Sequence, residues 1–136
     1  MKKINLLFLA LFSLILSCTK DSIDENFKNA FDCEFDSNPN FIGICLNGST
    51  LALKNEVLTY ASKSTSNFSE ISWEIESGNM EILNIDASVE NGVNKSIATI
   101  QFNSDFNGGS IRVFTIDSNS NAFAEISNYA ITLETQ

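Results

Sequence analysis

Glu70, Glu74, Glu76 and Glu81 lie close together in the chain, and carboxylates in proximity are candidates for acid–base chemistry. A pair of them can cleave a glycoside when their separation fits and one is held protonated. Glu74 and Glu76 alternate with Trp73 and Ile75, so both project from the same face of a strand. A glycosidase also needs a groove with aromatic platforms, and a chain of 136 residues is too small to build one. The cluster therefore reads as a solvated face. Asp117-Ser118-Asn119-Ser120-Asn121 sets oxygen atoms at alternating positions, as a calcium loop begins. It departs from that pattern at Ala122, where the turn glycine belongs, and at Asn128, where a bidentate Glu belongs. The same residue types are what a β-turn selects, so this stretch and Asp105-Phe106-Asn107-Gly108-Gly109 read as turns. The chain has no His, which removes the Ser-His-Asp triad and the commonest metal ligand. Neither a Gly-x-Ser-x-Gly elbow nor a Gly-rich phosphate loop occurs. The expectation is a non-catalytic chain without a metal or cofactor.

The elements that carry these residues follow a cationic and apolar start. Lys2 and Lys3 precede a nearly all-apolar run from Ile4 to Leu16, and Ser17 then stands before Cys18. The run of about 13 residues is short of the ~20 needed to cross a bilayer as a helix, so it reads as an export signal. Leu14-Ile15-Leu16-Ser17-Cys18 resembles the lipobox of bacterial lipoproteins. That resemblance implies cleavage before Cys18 and acylation of its thiol, giving an outer-membrane or other envelope anchor held by two or three acyl chains. Each buried CH₂ would contribute roughly 0.8 kcal/mol. An ordinary secretory signal followed by a chance Cys is the alternative. Thr19-Lys20-Asp21-Ser22-Ile23-Asp24-Glu25-Asn26 reads as a solvated tether. It is similar to the charged stretch after the lipidated Cys in surface lipoproteins of the Bacteroidetes, and Asp21-Ser22-Ile23 resembles an O-glycosylation motif of that phylum.

Net charge is −9, and loss of Lys2 and Lys3 leaves six basic residues against 17 acidic ones, a net −11. Such a body repels phosphate backbones, so nucleic acid is not an expected partner. With Cys18 acylated, Cys33 and Cys45 remain as a pair in an oxidising compartment and are expected to form a disulfide. Two Cys without His cannot complete a usual zinc shell, and the spacing is not that of a Cys-x-x-Cys redox pair. Phe27, Phe31, Phe35 and Phe41 flank or lie in the bridged leader, either as cover for one edge of the fold or as a docking patch.

From about residue 50 the pattern has period two, broken by Asn, Gly and Ser clusters. The runs are Thr50 to Lys54, Val57 to Ser62, Ile71 to Glu76, Met80 to Ile85, Ile97 to Phe102, Ser110 to Ile116, and Phe123 to Leu133. About seven strands without a long amphipathic helix predict an all-β, antiparallel sandwich. Residues 50 to 134 are similar to a PKD-like, immunoglobulin-like sandwich. The resemblance rests on Val57-Leu58-Thr59-Tyr60, Trp73 in its aliphatic-x-Trp-x-aliphatic strand, Gly78, Ser96 to Phe102, and Gly109 to Val113. It implies that Trp73 fills the core between the sheets. The expected organisation is a signal at 1–17, lipidated Cys18 and tether at 18–32, a disulfide-bridged leader at 33–49 and the sandwich at 50–136. The expected role is an interaction or spacer module for envelope proteins or glycans, tethered to membrane through Cys18. A small envelope hydrolase using Glu74 or Glu76 and a calcium-stabilised adhesin module are the competing classes.

Overall fold

The computed structural model describes residues 27–135 apart from Pro39 and Ser118. The expected signal helix, Cys18 and the tether up to Asn26 lie outside the described residues. Eight strands form: β1 (Ile44–Asn47), β2 (Leu51–Ala52), β3 (Val57–Ser64), β4 (Ile71–Ser77), β5 (Met80–Glu90), β6 (Val93–Phe102), β7 (Gly109–Ile116) and β8 (Phe123–Leu133). They make two four-stranded sheets, ordered β1-β3-β6-β5 and β2-β8-β7-β4. The protein is a β-sandwich. Among the described residues one pairing departs from the expected antiparallel pattern: β2 runs parallel to β8, with Leu51 opposite Thr132. That follows from the crossing at Gly48-Ser49, which carries the chain from the first sheet to the second without a hairpin reversal.

Alternation fixes which face is buried. On β4, Ile71 and Trp73 are buried and Glu74 is exposed. On β6, Ser96, Ala98, Ile100 and Phe102 are buried while Thr99 and Gln101 look outward. These rows meet Leu58 and Tyr60 of β3, Ile111 and Val113 of β7 and Ile131 of β8 in one core. Trp73 lies between the sheets, and its indole N–H donates to Ser96 Oγ at 2.8 Å, so a large ring is buried with its one donor satisfied. Phe106 leaves its loop to close the core from one end, packed edge-on against Phe102 with centroids 4.8 Å apart.

The turns obey their residues. Asn91-Gly92 joins β5 to β6 with both residues at positive φ, as a two-residue hairpin of this hand requires. Gly78 (φ 92°) carries the chain from β4 across to β5 in the other sheet. A Cβ there would stand 2.7 Å from the Gly108 carbonyl oxygen, so glycine is needed for both conformation and space. Phe123 to Leu133 is one strand, bent by a bulge where Asn128 takes φ 54°.

The fold also takes in the leader. β1 lies inside the segment read as a bridged leader and pairs with β3, Cys45 standing opposite Lys63. Cys33 and Cys45 are disulfide-bonded, with Cα atoms 6.0 Å apart. Beyond the end of β1 the free edge of β3 is met by the last part of the stretch read as tether: the Ala30 N–H donates to the Thr59 carbonyl, and Asn29 Oδ1 accepts from the Thr59 N–H. Asn47 Nδ2 donates to the Asp32 carbonyl, and the Asp32 carboxylate pairs with Lys63 at 2.9 Å.

Candidate functional site

The structure sends the sequence-predicted carboxylates to separate partners. β4 and β7 pair in a register that sets Glu74 opposite Arg112. Arg112 donates to Glu74 Oε2 at 3.2 Å and, from Nε, to Glu125 Oε2 at 2.7 Å on β8. The bond to Glu125 is the main reason the guanidinium holds its proton more firmly than usual. Glu76 sits at the bulge of β4, and its carboxylate accepts the backbone N–H of Asn128 at 2.7 Å, at the bulge of β8. Glu70 lies in the loop before β4 and Glu81 on the outward face of β5, away from both. Arg112 also lies over the rings of Phe114 and Phe123, 4.7 and 5.7 Å from their centroids. The outer face of the second sheet is thus a crossed arrangement of one guanidinium, two carboxylates and two aromatic rings. Sequence reading missed Arg112 as the centre of that group, because its partners come from three strands.

Asp117 organises a hairpin tip. Its carboxylate accepts Ser120 Oγ at 2.5 Å and the Asn119 N–H at 2.9 Å, and these two bonds hold its pKa below the usual aspartate value. The Asp117 N–H closes the turn on the Ala122 carbonyl. Two of the side chains that resembled the start of a calcium loop, Asp117 and Ser120, are engaged in the turn itself. Among the described residues no three His, Cys, Asp or Glu side chains converge to hold a metal ion.

The four leader phenylalanines divide. Phe35 packs against Phe41 with centroids 5.8 Å apart, and the Lys63 ammonium lies over Phe35. Phe27 and Phe31 are exposed. Two tyrosines, buried Tyr60 and half-buried Tyr129, hold the crossing between the sheets. Tyr60 donates to the Ser49 carbonyl at 2.9 Å, and Tyr129 to the Gly48 carbonyl at 2.6 Å. Burial pushes both phenols up, Tyr60 the more.

The ends of the sandwich differ. At one end Lys28 is clasped by Glu56, ahead of β3, and by Glu134, after β8. These bonds outweigh the cost of burial and raise the ammonium pKa. At the other end three loops are tied together. Asn94 Nδ2 donates to the Phe68 and Ser69 carbonyls, Thr115 Oγ1 to those of Ser69 and Glu70, and the Ser69 N–H to Ile116. The described chain therefore begins at the end opposite the joined β3–β4, β5–β6 and β7–β8 loops.

No family model matches this chain, and no curated protein matches it either.

Proposed function

We propose that this chain is a lipid-anchored cell-envelope protein whose sandwich acts as a non-catalytic interaction module held off the membrane. The observation that carries the reading is the polarity of the domain. Residue 28 is fixed at one end by Glu56 and Glu134, and the loop cluster of Thr65–Glu70, Asn91-Gly92 and residues 117–122 occupies the other. A tether arriving from Cys18 through residues 19–26 joins the sandwich at the clasped end, so the three loops face away from the bilayer. Loops carried on a rigid sandwich are common places for partner contact. Among the described residues no helix is long and apolar enough to cross a membrane.

We take the sandwich as immunoglobulin-like, of the PKD-like kind. Its sheet order, with β1-β3-β6-β5 facing β8-β7-β4, matches the four-plus-three order of constant-type immunoglobulin domains, and Trp73 lies on the strand where such domains bury theirs. Engagement of Glu74 by Arg112 and of Glu76 by Asn128 supports a binding role over a hydrolytic one. Protein or glycan partners at the envelope are the natural class.

The test is fractionation of the host membrane. The mature protein should partition into the detergent phase, and its N-terminal peptide should carry fatty-acid mass on Cys18. Cys18→Ala should release it to the soluble fraction, and unchanged partitioning of that variant overturns the anchor.

A further inference from the structure

The four edges of the two sheets are not treated alike. β1 is four residues long and tied to residues 32 and 33 by the Asn47 bond and the disulfide, β2 is only two residues long, and β4 is kinked by its bulge at Glu76. Short strands, bulges and covering segments are the usual ways a protein blunts a strand edge. β5 has no such cover. It runs for 11 residues, pairs with β6 on one side only, and after the bulge at Ile82–Asn84 continues regularly to Glu90. It contains no Pro, Lys or Arg, the residues that normally guard such an edge.

The direction of its free groups follows from the hairpin. With a two-residue turn, Glu90 and Val93 are the hydrogen-bonded pair, and alternation along the ladder then points the N–H and C=O of Val89, Ala87 and Ile85 away from β6. Those same residues turn their side chains to the inner face, where no strand of the second sheet lies over them. Ile85 is 43% exposed and Val89 67%. Between this row and the start of β4 lies an open cleft of about 270 Å³, lined by Ser69, Ile71, Ala87, Val89, Asn94 and Ser96. The sandwich therefore presents an unpaired ladder and an uncovered apolar row side by side. The outward face of β5 is acidic, carrying Glu81, Asp86 and Glu90, while Glu70 and Lys95 line the cleft and Lys95 is paired with Glu90.

We propose that β5 is a strand-addition site, taking an extended, basic segment of a partner protein whose alternate apolar side chains fill the cleft over Ala87 and Val89. Main-chain bonds to Ile85, Ala87 and Val89 supply the binding, the inner cleft selects small or branched apolar residues, and the acidic outward face of β5 selects Lys or Arg on the outward positions. A second copy of this chain fits less well, because β5 laid against β5 opposes acidic strands. The inference rests on the interaction-module reading but not on the lipid.

The probe is a short synthetic peptide of alternating lysine and valine, titrated into the full chain in non-ionic detergent, with an alternating glutamate–valine peptide as control. The lysine peptide should bind and the glutamate peptide should not. Amide exchange at Ile85, Ala87 and Val89 should slow at least about tenfold when it binds, since these amides pass from water to a ladder. Ala87→Pro removes one outward N–H without touching the β6 pairing and should weaken binding at least about tenfold. Ala87→Pro should keep the circular dichroism of the parent, so that lost binding reads the edge and not the fold. Absence of binding, binding without slowed exchange at those three amides, or binding indifferent to Ala87→Pro overturns the proposal. So does a concentration-dependent dimer that Ala87→Pro dissolves, because the occupant is then a second copy. Loss of Cys18 acylation would alter none of these readings, so the two proposals fail separately.

Discussion

The two edges of the first sheet, β1 and β5, have opposite fates. β1 is four residues long, backed by a disulfide, an ion pair and, beyond its end, residues 29 and 30 bonded to Thr59 of β3. β5 is nearly three times as long and carries exposed Leu83, Ile85 and Val89, with no strand paired to its outer edge among the described residues. The chain thus spends its covalent cross-link on an edge next to the tether and leaves the opposite edge available. Protection is local, and the difference between the edges can be tested by attacking each in turn.

The largest effect is expected from the bridge. Cys33→Ala with Cys45→Ala opens a loop whose ends are 12 residues apart, and losses for loops of this size are about 3 kcal/mol. Chemical denaturation should show that loss. Amide exchange should place it on one side: Ala30 and β1 lose protection before β6, while exchange at β5, already open, changes least. Uniform loss across both edges would show that the bridge serves the whole sandwich instead of its β1 side.

Gly48 comes next. It lies where the chain leaves β1 for β2, under the tyrosine pair, and a Cβ there would stand 2.1 Å from a ring carbon of fully buried Tyr60. The ring is held by its own bond to Ser49 and by an edge-on contact with Tyr129 at 6.3 Å, so it has little room to give. Gly48→Ala should cost about 1–3 kcal/mol, the usual range for overpacking. A neutral result in a thermal melt would mean that the crossing can shift without loss.

A substitution on the other edge should do almost nothing to stability. Val89→Lys lies at a position 67% exposed and installs the guard residue that β5 lacks. The melting midpoint should stay within what about 0.5 kcal/mol can move. Light scattering on heating should fall, because an edge guarded by lysine templates less pairing. A clear destabilisation would show that Val89 packs more closely than its exposure implies.

What could be read in the sequence follows the same division. β4 and β7 were legible because Ile71, Trp73, Ile111 and Val113 alternate against polar neighbours on a half-buried face. The second half of β5 was not. From Asp86 to Glu90 both faces are exposed, so burial leaves no period in the residue types. β1 was hidden because only Ile44 and Leu46 point inward and the outward Cys45 reads as part of a bridge. Phe106 belongs to a loop, where no periodicity could mark it as a core residue. The grouping of Glu74 with Arg112 and Glu125 depends on cross-strand register, and a free edge is defined by a neighbour that is missing. Neither leaves a local signal.

A comparably small effect concerns the ion pair that helps pin residue 32 to the β1 side. The Asp32 carboxylate accepts from Lys63 at 2.9 Å and from the Cys33 N–H at 2.9 Å, and the bond from Lys63 is the main cause of its lowered pKa. A carboxyl whose pKa is lower in the folded state stabilises that state once it is ionised in the unfolded chain, above the ordinary value of 3.8. That contribution is lost as pH falls through the folded value. Asp32 is 63% exposed in its side chain, so water screens the pair and its worth is about 0–1 kcal/mol. Melts of the parent and of Asp32→Asn should therefore differ by a small constant amount near neutrality and converge as the solution becomes strongly acidic. A difference that persists below the folded pKa would assign Asp32 a packing role in the leader, and the β1 edge would then owe less to charge than the geometry implies.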